Sequence, residues 1–433
     1  MTILDESVKK LKRATYHLWT FAASKMISAF GAQIYAFAIS FYILQITGSA
    51  TSFAANLICS ILPRTLMAPF AGYVADTYSR KKIVITAQIA SSLAILGLLT
   101  VSLTYGLSLA AIYTTTVVLS LASTFSSIAF TSSITGLVDE NRVQKAMSLN
   151  QMSVSLAAIS SPAVGGMIYG AVPMPVFLIL YASASILAVL LESTMNFSLF
   201  AKRKVKEEGA VKEKMLDSMK AGFAYARLQP LLMSVIWVAL IVNFLFGAVT
   251  VGYSFILIEK LKILPSHFGL IEGGMAVGTL LMSIFLATRK PFASPLLVSK
   301  WGIAAMGLAM GLVSVPLLFF LPYAGVFAFY LTISFLSGAL GPLINTPIQV
   351  FMMKMIDDDY KGRVFSILET MAMALMPLGM VLFGFLYDFL PAPWILITSS
   401  ILQILTVFIL LRASVIRQVT GVKSEEDLKT VST

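Results

Sequence analysis

Charge is scarce in this sequence. Asp, Glu, Lys and Arg make up 12% of its 433 residues, roughly half the share found in soluble domains. Hydrophobic residues reach 58%, and the mean hydropathy is +0.89. That balance excludes a soluble enzyme and fits an all-α chain that crosses a bilayer many times. Cysteine is nearly absent. Cys59 alone, inside an apolar run, leaves no intrachain disulfide framework and no thiolate metal site. The only two histidines, His17 and His267, lie far apart, so the sequence offers no histidine metal cluster, and no cofactor is expected. No phosphate-cradling P-loop occurs, which argues against ATP hydrolysis, and no nucleophile–histidine–acid set points to an enzyme. The net charge of +11 does not imply nucleic acid, because the cations flank apolar runs. They read as topology signals and as contacts with the anionic lipid of a bilayer.

Long apolar runs are what the sequence has in abundance. Spans of about 20–25 residues each would fill most of the chain with twelve crossings. The first six lie near 17–46, 53–75, 83–104, 107–134, 146–169 and 176–193, and the last six near 230–257, 266–287, 298–320, 324–353, 364–386 and 392–411. Between the two sets, composition shifts to a polar linker carrying Lys202, Arg203, Lys204, Lys206, Glu207, Glu208, Lys212, Glu213 and Lys214. The expected organisation is a cytoplasmic segment at 1–16, a six-helix half at 17–194, a central loop at 195–227, a second half at 228–412 and a tail at 413–433. The first segment, with Lys9, Lys10, Lys12 and Arg13, reads as a short interfacial helix. With both termini inside, Lys260 and Lys262 fall outside, Lys25 and Arg64 fall within spans, and the other 27 of 31 cations lie on the inner side. That asymmetry supports an even number of spans with cytoplasmic termini. An internal repeat points the same way: at an offset of 218, Ser148, Gln151, Gly166 and Tyr169 meet Ser366, Glu369, Gly384 and Tyr387.

The stretch around which the chain is organised is Gly72-Tyr-Val-Ala-Asp76-Thr-Tyr-Ser-Arg80-Lys81-Lys82, between the second and third spans. It resembles the loop 2–3 signature of the major facilitator superfamily, G-x-x-x-D-x-x-(G/S)-R-(K/R)-(K/R). Ser24 to Gly31, Ile46-Thr47-Gly48-Ser49-Ala50, Leu62-Pro63 and Pro69-Phe-Ala-Gly72 are similar to the start of its macrolide-efflux branch, which also includes siderophore and peptide-antibiotic exporters. Lys361-Gly362-Arg363-Val364-Phe365-Ser366 resembles that branch's loop 10–11. Ser161-Pro162-Ala-Val-Gly165-Gly166 is similar to the G-P-x-x-G-G antiporter motif of drug exporters, with serine for the first glycine. Its bland alternative is a glycine-rich packing seam in a proline-pliant helix. The fourth span departs from many proton-coupled relatives in holding no arginine. The second-half copy of the loop signature, Thr288-Arg289-Lys290-Pro291, lacks the Gly-x-x-x-Asp lead.

The resemblance implies the major facilitator fold, twelve transmembrane helices in two six-helix halves. It also implies alternating access in a bacterial cell membrane, by a monomer, for a small-molecule substrate coupled to a proton or another ion. The leading expectation is a proton-coupled exporter of amphipathic, macrolide-type compounds. A dedicated exporter of one metabolite, an importer, and a non-transporting sensor remain open. By resemblance, Gly72, Asp76, Arg80, Lys81 and Arg363 form a gate; read from the residues alone, they could serve topology only. Lys25, Arg64, Glu272 and Glu369 are ionisable residues that fall within spans. Charges at that depth are expensive and face a cavity or a partner. Arg64 lies near mid-membrane and could meet an anionic group. Lys25 could do the same or snorkel to the inner surface. Glu272 or Glu369 could carry the coupling proton, or be a salt-bridged structural carboxylate.

Overall fold

The computed structural model describes residues 2–200, 224, 227–290, 292–356, 364 and 375–412. The described residues are helical, with no strand among them, and twelve helices of 14 residues or more follow one another. They are α1 (Thr2–Thr47), α2 (Ala50–Thr77), α3 (Arg80–Thr104), α4 (Leu109–Ser132), α5 (Glu140–Ala171), α6 (Met174–Thr194), α7 (Pro230–Phe255), α8 (Pro265–Thr288), α9 (Pro295–Leu312), α10 (Tyr323–Met355), α11 (Met376–Phe389) and α12 (Ala392–Leu410). Ten of them are long and apolar enough to cross a membrane. The other two, α2 and α11, occupy the places of the expected second and eleventh spans. α2 carries Arg64 and Asp76 in its apolar sequence. Residue 364 apart, the first residues of the expected eleventh span lie outside the described residues.

Local sequence explains the helix ends. Thr47-Gly48-Ser49 does make the first turn: Gly48 adopts φ 61°, a conformation open to glycine without strain, and Ser49 Oγ then accepts from Ser52 N–H at 3.2 Å to cap α2. Ser108 caps α4 in the same way, accepting from Ala111 N–H at 3.3 Å. Prolines open α6, α7, α8, α9, α11 and α12, where their missing N–H is not needed. One expectation is revised. The basic segment before residue 17 does not form a separate interfacial helix but continues α1 from Thr2, because no proline or helix-ending turn residue interrupts it. In α7 the last turn widens into a π-helix at Ile256–Lys260.

The chain divides into two compact units, one of residues 1–207 with 261–273 and the other of 208–260 with 274–433, so the division cuts α8 between Gly273 and Gly274. In the first unit α1 packs on α5 and α6, and α4 on α2 and α3, with α3 also against α6. The second unit repeats this pattern: α7 packs on α11 and α12, α9 on α10, and α9 on α12. The repeat extends to single hydrogen bonds. Tyr169 of α5 donates to Gln45 Oε1 of α1 at 2.6 Å, and its counterpart Tyr387 of α11 donates to the Ala248 carbonyl of α7 at 3.0 Å.

Helix pairs are joined by small polar side chains, as expected where lipid removes the hydrophobic drive between helices. On the α2–α4 pair, Tyr113 Oη donates to Ser52 O (2.9 Å), Thr116 Oγ1 to Asn56 Oδ1 (2.9 Å) and Ser120 Oγ to Ser60 O (2.5 Å), one contact per turn. In the second unit Ser299 Oγ donates to Ile344 O at 2.8 Å, Ser400 Oγ to Gly307 O at 2.6 Å and Gln403 Nε2 to Ile303 O at 3.1 Å. Lys300 of α9 is buried there. Its Nζ donates to Leu411 O at 2.8 Å and stands 4.8 Å from the Phe408 ring centroid. The ammonium thus satisfies an orphan carbonyl at the end of α12. Lys300→Met keeps the stem and removes the donor. It is expected to destabilise the protein by about 1–3 kcal/mol, read as a lower thermal midpoint in detergent.

Candidate functional site

The loop between α2 and α3 sits where three helices of the first unit end. Arg80 Nη1 donates to Ser132 O at 2.7 Å, the last residue of α4, and its Nε donates to Ala75 O of α2 at 3.3 Å. Lys81 Nζ donates to Ser193 O at 2.8 Å, one residue before the end of α6. The two cations of the signature therefore neutralise the carbonyl ends of α2, α4 and α6, where the helix dipoles place negative partial charge. Asp76 lies in the last turn of α2, and Arg363 lies outside the described residues. A Cβ built on Gly72 meets nothing within 4 Å among the described residues, so packing there does not require glycine. This loop end is called the basic end below.

At the basic end, α1 and α6 enclose a polar cluster. Ser24 Oγ donates to Glu192 Oε1 at 2.6 Å. Glu192 is 3% exposed, Ser24 is fully buried, and Glu192 Oε2 is buried with no hydrogen-bond partner among the described residues. Lys25, beside Ser24, holds its Nζ 5.3 Å from the centroid of Phe130 and acts electrostatically on Glu192. Phe130 in turn stacks on Phe21 at 4.9 Å and meets Phe197 edge-on at 5.7 Å, inside an apolar cluster that includes Leu18, Ala129, Ile134 and Leu137. Further along the same helix pair, Tyr16 Oη donates to Thr194 Oγ1 at 3.0 Å, and the buried His17 Nε2 accepts from Asn196 N–H at 3.4 Å.

A second feature lies in α5. Pro162, Gly165 and Gly166 fall inside this 32-residue helix. They face α1 and the first part of α8, which belongs to the same unit. A Cβ on Gly166 would approach the Pro265 carbonyl oxygen far inside 3.0 Å, with Gly269 Cα at 3.3 Å. A Cβ on Gly269 would meet the Pro162 carbonyl in the same way, with Ala163 Cα at 3.1 Å. The two helices are thus in backbone-to-backbone contact, the close approach that small residues allow. Gly165 is different, since its nearest neighbour is the ring of Phe37, at 3.2 Å. Around the seam, aromatic rings of α1, α5 and α8 pair: Phe37–Phe268 (5.3 Å), Phe41–Phe268 (6.1 Å) and Phe41–Tyr169 (5.0 Å).

Glu272 follows Gly269 by three residues on α8, close to one turn. It is partly buried, and burial is the one influence on its carboxyl; no charged side chain or hydrogen-bond donor among the described residues acts on it.

The structure therefore brings Lys25 to Glu192 and Ser24, and Gly166 to Gly269. It does not join Arg64 to either group. Arg64 lies on an exposed stretch of α2 with Leu62, Leu66 and Met67. Glu369 lies outside the described residues. Asn243, Asn345 and Gln151 each bond within their own helix, to Ala239 O (2.8 Å), Gly341 O (3.1 Å) and Ser155 Oγ (3.4 Å) respectively. Among the described residues they make no interhelical pair. Sequence reasoning missed Glu192. It falls at the edge of the expected sixth span, and its hydrogen-bond partner is Ser24, 168 residues away. The one available signal was a carboxylate one residue short of the expected span end.

Comparison with known proteins places this geometry. The Major Facilitator Superfamily model matches residues 21–371. An uncharacterised MFS-type transporter, YfiS of Bacillus subtilis, is 26% identical over 387 residues, covering 88% of this chain and 89% of its own. Macrolide efflux protein A of Streptococcus pyogenes is 22% identical over 398 residues, covering 92% and 95%. Among solved structures, a bacterial homologue of the iron transporter ferroportin, in an inward-facing state, aligns with a TM-score of 0.66 at 17% identity over 91% of this chain and 98% of that one. The nucleoside transporter NupG aligns with a TM-score of 0.66 at 14% identity, over 91% and 99%; at such identities the likeness is one of fold. A family match over most of the chain, two units with a repeated helix pattern and ten helices able to cross a bilayer agree: the chain belongs to the Major Facilitator Superfamily and is a multi-pass membrane transporter.

Proposed function

We propose that this transporter exports amphipathic, macrolide-like compounds by alternating access, driven by proton entry across a bacterial cell membrane. The basic end and both termini face the cytoplasm, and the protein works as a monomer. The observation that carries the reading is Glu272, a partly buried carboxyl without a charged or hydrogen-bonding neighbour among the described residues, one turn from the α5–α8 seam. An ionisable side chain at membrane depth is expensive unless it has a task, and a desolvated carboxyl can bind a proton near neutral pH. The likeness to macrolide efflux protein A over 92% of the chain supports the substrate class and the outward direction. Asp76, Arg80, Lys81 and Arg363 act as the cytoplasmic gate, with Arg80 and Lys81 also anchoring helix ends. Pro162, Gly165 and Gly166 serve as the antiporter-like element. Lys25, Arg64 and Glu369 are further pathway residues.

The test is proton movement in everted membrane vesicles. With the interior acidified, adding a macrolide is expected to release protons. No release with macrolides, dyes or any other amphipathic compound would defeat the reading. Asp76→Asn is expected to lower that release several-fold while leaving the amount of inserted protein unchanged. Release at the wild-type rate would remove Asp76 from the gate.

A further inference from the structure

We propose that Glu192, Ser24 and Lys25 form a second proton-exchange site at the basic end, separate from Glu272, in which the state of Glu192 sets where the Lys25 charge rests. The inference rests on the transporter reading above but not on Glu272 carrying the coupling.

The geometry is that of an incompletely satisfied carboxyl. Glu192 Oε1 accepts one hydrogen bond, from Ser24, while Oε2 is buried with no partner among the described residues. An ionised carboxylate in that position lacks the contacts that would replace its lost water. Lys25 is the adjacent cation, yet its ammonium rests on the Phe130 ring at 5.3 Å and forms no ion pair with Glu192. This is the arrangement expected of the protonated carboxyl, with the proton on Oε2 and the lysine charge held by the ring quadrupole. Loss of that proton leaves a buried anion, and the nearest available compensation is the Lys25 ammonium, which then leaves Phe130. One proton is taken up or released, and no other bond changes. A metal ion does not suit the place: it offers one carboxylate and one hydroxyl beside an ammonium, and no group of three metal-ligating side chains occurs among the described residues.

Other titratable or charged groups face this helix pair. From α1 come Tyr16, on Thr194, and His17, on Asn196. From α3 comes Lys81, on Ser193. From α5 comes Lys145, 5.4 Å from the Trp19 ring of α1, and from α4 the neighbour is the Phe130 ring. Among the described residues facing this pair, His17 is the other side chain of a type that ordinarily ionises near neutrality, and Arg13 of α1 also acts electrostatically on it. His17 Nε2 accepts the Asn196 N–H, so the neutral ring carries its proton on Nδ1, which has no partner among the described residues.

The test is infrared titration of the purified full-length protein in lipid nanodiscs, through neutral pH and without substrate. In the Glu272→Gln background a protonated-carboxyl band is expected to grow on acidification, to be lost when Glu192→Gln is added, and to persist when His17→Gln is added. Ser24→Ala, which removes the single hydrogen bond but keeps the carboxyl, is expected to displace the midpoint of that band. It keeps the proposal testable if Glu192→Gln does not fold. A band that survives in the Glu192→Gln/Glu272→Gln double variant, or one unmoved by Ser24→Ala in the Glu272→Gln background, overturns the site. The measurement needs no substrate and no gradient. Failure of the export reading shows instead as silent wild-type vesicles, so the two failures are distinguishable.

Discussion

Gly166→Leu is expected to abolish transport, and Gly166→Ala to reduce it strongly, while Gly165→Ala is expected to act weakly. The order follows from what each added carbon meets. At Gly166 the neighbour is the backbone of Pro265 and Gly269, and at Gly269 it is the backbone of Pro162 and Ala163. Neither can turn aside as a side chain can, so the helices must separate. Overpacking of this kind costs about 1–3 kcal/mol, occasionally more, and the upper part of that range applies where both neighbours are main chain. A penalty of about 2–3 kcal/mol lowers the population of the closed seam by roughly 30- to 150-fold. At Gly165 the neighbour is the Phe37 ring, which can give by a few tenths of an ångström. Gly72→Ala supplies a control, because its Cβ meets no described atom and alanine is the better helix former by roughly 0.8–1 kcal/mol. Gly269→Ala strains the same contact as Gly166→Ala, so the double variant is expected to fall short of additivity.

Two measurements give that series its meaning. Transport in everted vesicles reads function, and the thermal midpoint in detergent reads stability. If Gly166→Ala loses transport with little loss of stability, the seam opens during the cycle and the variant favours the open form. Equal losses of both would make it a static packing seam, the bland alternative that the glycine pattern leaves open. Full activity in Gly166→Leu would contradict the close approach itself.

Much of the fold was legible because its cause is local. The bilayer demands about twenty apolar residues per crossing, and that demand is written into the hydropathy of nearly every span. The Pro162–Gly166 run announces a helix that comes close to something, because glycine at that spacing has few other uses in lipid. It does not say what is approached. Pro265 and Gly269 lie about a hundred residues further on, and no period links them to α5. Arg80 and Lys81 were legible as a cationic turn. Their bonds to Ser132 and Ser193 depend on where α4 and α6 end, which sequence fixes only to within a few residues. Glu192 shows the same limit more sharply. Its distance from the expected end of its span is one residue, which separates a solvated end from a buried one, and the donor to its carboxyl is Ser24 of a distant helix. The N-terminal cations led to the opposite error: they read as an interfacial helix, although nothing in 2–47 stops α1 from running through.

Glu272→Gln is expected to bring macrolide-driven proton release to background while the protein inserts and survives heating at least as well as the wild type. The two halves of that expectation have one cause. A carboxyl at membrane depth costs a few kcal/mol on insertion scales, and at Glu272 no charged or hydrogen-bonding neighbour among the described residues offsets it. Glutamine keeps the shape, removes the ionisable group and so removes the penalty. It also removes the only proton that the side chain could exchange, so coupling through this residue stops entirely rather than slowing. Glu272→Asp, which retains a titratable group on a shorter stem, is expected to keep part of the release. A structural carboxylate would behave in the reverse way: losing its charge would break a contact and lower stability, with coupling preserved. Thermal midpoint and proton release therefore move in opposite directions under the coupling role and not under the structural one. Wild-type release from Glu272→Gln vesicles would move the coupling proton to another carboxyl, leaving Glu192 and Glu369 to be replaced in the same assay.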